Sequence, residues 1–149
     1  MVIDPGTGSL ALAAGRIDAA TSRADLRAMP VAAGARWDDM HTGWVHVELA
    51  DATGTATFAV RLLFEGERLD GYRMWMLDPR FGTSWDDWSE EKQRAQQDAH
   101  DAWLIGLLGP GTRRPTPGGP ELAYSLPWGE VWSAYDPRSG SSTIGVRFR

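Results

Sequence analysis

The sequence contains no cysteine, which excludes a disulfide framework, a cysteine-ligated zinc site and a thiol nucleophile. Lysine is nearly missing too, Lys92 being the single one among 15 basic residues. No apolar run approaches the roughly 20 residues that a membrane-spanning helix requires. The opening stretch, MVIDPGTGSLALAAGR, has neither the basic leader nor the long apolar core of a signal peptide. A soluble, cytoplasmic protein without a membrane role is therefore expected. There is no G-x-S-x-G elbow, no Walker loop and no dinucleotide-binding glycine pattern. A net charge of −5 with a pI near 5.1 argues against a nucleic-acid partner, because phosphate binding relies on a basic surface. Only Arg113 and Arg114 adjoin one another, in a Pro/Gly-rich stretch that reads as solvated loop.

What is present suits one domain, residues 1–149, a length at which folding buries roughly 68–70% of the unfolded chain's surface. The segment Ser84–Gly109 reads as one long amphipathic helix. Trp88, Lys92, Ala95, Ala99, Trp103 and Leu107 recur at three- and four-residue steps and form its expected core stripe, leaving Arg94, Asp98, Asp101 and Ile105 for water. Ser84 with Asp87 has capping-box spacing, and Ser89 is a rival cap one turn later. Gly109-Pro110 ends the helix.

Elsewhere the pattern is mostly of period two. Gly43–Leu49, Thr55–Phe64 and Arg68–Leu77 read as a three-strand meander, with a turn at Asp51–Gly54, and Gly129–Tyr135 with Ser142–Phe148 reads as a hairpin. Ser9–Ala13 is a candidate edge strand. Ser22 and Asp25 open a short helix that Pro30 closes. Val31–Met40 and the stretch GPGTRRPTPGGPE read as loops. The expected fold is α+β: an antiparallel sheet of about five strands, meander plus hairpin, packed against one long and one short helix.

Candidate chemistry is thin. His41, His46 and His100 lack ligand spacing, so no metal is expected, and no cofactor. Asp86, Asp87, Glu90 and Glu91 crowd the expected helix start, where the helix dipole favours negative charge. The same acidic cluster suits a basic protein partner. With eight tryptophans, a residue favoured at binding hot spots, the expected binding set is Asp86, Asp87, Glu90, Glu91, Trp128, Trp132, Tyr135, Asp136 and Arg138. Trp85, Trp88 and Trp103 are read as core. Tryptophans on strand faces turned away from Phe58 and Ile144 would form an exposed aromatic platform. The alternative is a small hydrolase or carbohydrate-active domain, in which two of Asp86, Asp87, Glu90, Glu130 and Asp136 face each other across a Trp-lined cleft.

The blocks WDDWSEE, HDAWL, PWG and YDPRSGSS resemble those of a group of small bacterial proteins, over the C-terminal half of the chain. That resemblance implies a shared fold and brings no catalytic residue. The first half, a short helix followed by a meander, is also similar in layout to small binding domains of the immunity type. This likeness implies a non-enzymatic, toxin-neutralising protein binder.

Overall fold

The computed structural model describes residues 2–12, 15–49 and 58–149. The expected turn at Asp51–Gly54 and the start of the strand placed at Thr55 lie outside them. The strands are β1 (Val2–Ile3), β2 (Leu10–Leu12), β3 (Gly15–Ile17), β4 (Arg36–Asp39), β5 (Trp44–Leu49), β6 (Phe58–Glu65), β7 (Arg68–Met76), β8 (Thr112–Arg114), β9 (Glu121–Leu126), β10 (Gly129–Asp136) and β11 (Ser141–Phe148). β1–β3 form a small sheet, and the other eight form an antiparallel sheet in the order β4-β5-β6-β7-β11-β10-β9-β8. Two local meanders thus meet at β7 and β11, where Met74 pairs with Ile144 and Tyr72 with Val146.

The α+β antiparallel expectation holds, but the large sheet has eight strands instead of about five. The extra strands escaped the period-two pattern for physical reasons. β8 is exposed at all three of its residues. β4 is a polar edge strand, Arg-Trp-Asp-Asp, whose Trp37 lies under the Arg27 guanidinium at 3.9 Å. In β9, Leu122, Ala123 and Tyr124 are buried consecutively, so alternation is lost. The segment at Leu10–Leu12 is the middle strand of the small sheet and not an edge of the large one.

One face of the large sheet is apolar. Val45, Val47, Leu49, Val60, Leu62, Tyr72, Met74, Ile144 and Val146 are buried there and share a core with Ile3, Leu10 and Ile17 of the small sheet. The small sheet is anchored by the Tyr72 hydroxyl, which donates to the Gly8 carbonyl at 3.0 Å, and by the Trp128 indole, which donates to Pro5 at 2.9 Å. Two helices complete this covered side. α1 (Arg23–Ala28) begins at the expected capping box, with Asp25 N–H donating to Ser22 Oγ and Ser22 N–H to the Asp25 carboxylate, both at 3.0 Å.

α2 (Glu90–Leu108) departs from expectation twice. It begins after Ser89, whose hydroxyl accepts from Lys92 N–H at 3.2 Å, while Trp85–Asp87 forms a separate single 3₁₀ turn. Its buried residues are Gln93, Gln96, Gln97, His100, Asp101 and Leu104. This face is displaced by one residue, about 100° around the helix, from the expected stripe. Ala95 is exposed, Trp88 is 39% exposed, and Asp101, expected in water, is buried. Trp103 keeps a flanking position, half-buried with its ring 5.1 Å from Phe58.

The partners of the buried face explain the displacement. Gln93 Nε2 donates to Phe81 O at 3.0 Å, Gln96 Nε2 to Met76 O at 2.8 Å and Gln97 Nε2 to Pro120 O at 2.9 Å. Gln93 Oε1 accepts from Ser142 N–H at 3.0 Å, and His100 Nε2 accepts from Met76 N–H at 3.1 Å. These are main-chain groups at strand ends and in loops. Buried backbone polar groups need partners, and only polar side chains on the helix supply them. Arg113 pairs with Asp101 and Arg114 with Glu121, so the two adjacent arginines clamp β8 and are not merely solvated.

Candidate functional site

The start of α2 and the β10–β11 hairpin tip are neighbours. The Trp88 indole N–H donates to the Gly140 carbonyl at 2.6 Å, and the Trp85 and Trp88 rings lie 6.0 Å apart. Gly140 is at φ +62, and a Cβ there would stand 3.4–3.5 Å from both indoles. A backbone conformation that glycine adopts freely thus closes the hairpin against the tryptophan pair. Gln93 ties the same region from beneath, through Phe81 and Ser142.

Between these walls lies an open groove of about 840 Å³. Leu77–Pro79, Phe81–Trp85 and Trp88 form one side and Asp136 with Ser139–Thr143 the other, and Arg61, Arg73 and Trp75 contribute from the uncovered face of the large sheet. Trp85 is 74% exposed and Leu77 48%, large values for apolar side chains on one rim. Asp78 caps the 3₁₀ turn Pro79–Phe81 and bonds the Arg80 side chain, which holds its carboxyl below the usual range.

The sequence-derived residues are divided among several places. Asp136 lines the groove, Arg138 is exposed at the hairpin tip, and Asp86 is exposed beside Trp85. Asp87 is bonded by Lys92, which lowers its pKa. Glu90 accepts from Arg94 Nε at 2.9 Å, and Glu91 is exposed in the first turn of the helix. Tyr135 is buried beneath Arg94, 4.7 Å from the ring centre, and Trp128 packs on Phe148 at the small sheet. Of the five carboxylates considered for paired acid–base work, Asp87, Glu90 and Glu130 each lie beside a cation, and only Asp136 lines the groove. Among the described residues no cluster of three or more His, Asp or Glu has metal-holding geometry.

Trp132, Trp44 and Trp75 stand on the uncovered sheet face, turned away from Phe58 and Ile144, but each is half-buried and not the exposed platform expected. Arg73 lies 4.5 Å over the Trp132 ring, and Arg61 5.5 Å over Trp75. Sequence reasoning missed Trp85, Trp88, Arg61 and Arg73 as site residues. The available signal was Ser89: a cap there puts both tryptophans outside the helix.

No protein-family model matches the chain, and no curated protein matches it. Among solved structures it is similar to a chain of "Rhs1-CT in complex with cognate immunity protein RhsI1", with a TM-score of 0.53 and 16% identity over 99% of this chain and 86% of that one. At this identity the similarity is one of fold. Among the described residues no helix is long and apolar enough to cross a membrane.

Proposed function

We propose that this chain is a protein-binding module of the immunity type, which uses the groove rim to hold and neutralise a protein partner. The observation that carries the reading is the Trp85–Trp88 pair, fixed against the hairpin tip yet 74% and 39% exposed. Rigid aromatic side chains beside a groove have the character of interface anchors. The fold similarity to a chain of a complex that contains an immunity protein supports the same reading. Asp86, beside Trp85, and Asp136, on the groove wall, make no ion pair among the described residues and favour basic groups on the partner.

The test is capture from lysate of the source organism by the tagged protein and by its Trp85→Ala/Trp88→Ala variant. A stoichiometric protein held by the wild type and lost by the variant is expected. That protein should arrest growth when expressed alone and be silenced by co-expression of this chain. A captured protein without toxicity would refute neutralisation, and capture unchanged in the variant would refute the rim.

A further inference from the structure

The arginines on the uncovered sheet face are unequally satisfied. Arg61 reaches Glu48 at 2.9 Å, and Arg147 lies 3.6 Å from Asp70. Asp70 itself sits at a register shift: Leu63 pairs with Gly71 and Phe64 with Leu69, so Asp70 is the extra residue of a bulge. Arg73 has no carboxylate partner among the described residues. Its one side-chain hydrogen bond among the described residues runs from Nη1 to its neighbour's carbonyl, Tyr72 O, at 3.4 Å. It also faces a like charge, since Arg61 is its direct cross-strand partner.

This cation is nevertheless held in place. It is half-buried, stacked on Trp132, and lines both the groove and a smaller hollow of about 330 Å³ beside Asp70 and Arg147. Gly145 makes the seat possible, because a Cβ there would lie 2.4 Å from the Trp132 ring and 3.0 Å from Arg73 Nη1. Burial pushes against the charged form of Arg73 most strongly, the charge of Asp70 opposes it, and that of Arg147 adds the smallest push, in the same direction as burial. A planar guanidinium with unused donors, desolvated and oriented by an indole, matches a carboxylate that brings two oxygens.

We propose that Arg73 anchors a carboxylate of the protein partner, an Asp or Glu side chain that enters the groove past Trp85 and meets the free N–H groups. The assignment rests on the protein-binding reading above and adds that the partner's contact surface carries an acidic residue amid the basic groups that face the rim. A protein side chain suits the site better than a free metabolite, since the groove is open and edged by exposed tryptophan.

The test follows the arginine Nε–Hε and tryptophan indole NMR signals of the whole chain during titration with hexaglutamate, hexaglutamine or inorganic phosphate. Saturable shifts of Arg73 and Trp132 with hexaglutamate alone are expected. Arg73→Gln should weaken hexaglutamate binding about tenfold, with Arg73→Lys in between, and amide spectra check that both variants fold. Equal response to hexaglutamine, or no loss in Arg73→Gln, overturns the anchor. A response to phosphate with none to hexaglutamate overturns the carboxylate assignment. The partner is tested separately by capture with Arg73→Gln. Unchanged capture overturns the anchor and leaves the binding module standing. No capture even by the wild type overturns the binding module, while the titration still reports on Arg73.

Discussion

Replacing Gln93 with alanine should damage the fold far more than its surface-like chemistry suggests. The buried side chain bonds Phe81 O and Ser142 N–H, both at 3.0 Å, so its removal orphans one carbonyl and one amide. Each buried orphan costs about 1–3 kcal/mol, which gives about 2–6 kcal/mol for the substitution. Against a typical domain stability of roughly 5–15 kcal/mol, this is a large share. Urea unfolding at neutral pH is the assay, with Gln97→Ala as control. Gln97 has one side-chain bond among the described residues, to Pro120 O, and its loss should cost about 1–3 kcal/mol. Because Gln93 joins two walls of the groove, Gln93→Ala should also alter the fluorescence of Trp85 and Trp88. A loss below about 1 kcal/mol, or one equal to that of Gln97→Ala, would refute polar docking of the helix.

Other outcomes follow from the same geometry. Burial pushes the His100 imidazole down from 6.5 to about 4, so between those values the unfolded chain binds more protons than the folded one. The stabilising contribution is complete above pH 6.5 and is lost as pH falls towards 4, about 3 kcal/mol in all. Unfolding free energies at about pH 7.5 and about pH 4.5 should therefore differ more in the wild type than in His100→Gln, and equal differences would contradict the buried neutral imidazole. Gly145→Ala should cost about 1–3 kcal/mol through overpacking against Trp132, and Trp132→Ala in the same chain should recover most of it in thermal melts. Trp85→Ala should change stability by no more than about 0.5 kcal/mol, since the side chain is mostly in water. A larger loss in urea unfolding would make Trp85 a structural residue.

The sequence showed those parts of the fold that apolar alternation dictates. β5, β6 and β10 alternate strictly, and Tyr72 and Met74 of β7, beyond its bulge, and Ile144, Val146 and Phe148 of β11 keep period two, so these inward residues could be named from the pattern alone. The α1 capping box was legible for the same local reason. The face of α2 was not, because its docking surface is defined by unpaired main-chain groups, which leave no hydrophobic signature. With Gln-x-x-Gln-Gln-x-x-His-Asp as the inward pattern, tryptophan and alanine took the role that glutamine has. The candidate site followed that error. Asp86, Asp136 and Arg138 fell near the groove, while Trp85 and Trp88 were assigned to the core and Arg73 had no local mark at all. Arg73 acquires its setting from Gly145 and Trp132, residues distant in sequence.

The joint between β7 and β11 also governs how the chain can assemble. β4–β7 can zip by short-range contacts as they are synthesised, yet β7 then waits with one unpaired edge while four further strands and α2 are made. That edge runs beside Tyr72, Met74 and Met76, and such an edge can recruit foreign strands. Its natural occupant, β11, is the last of the eight to leave the ribosome. Slow loop closure across this gap makes completion of the sheet the step at which folding and aggregation compete.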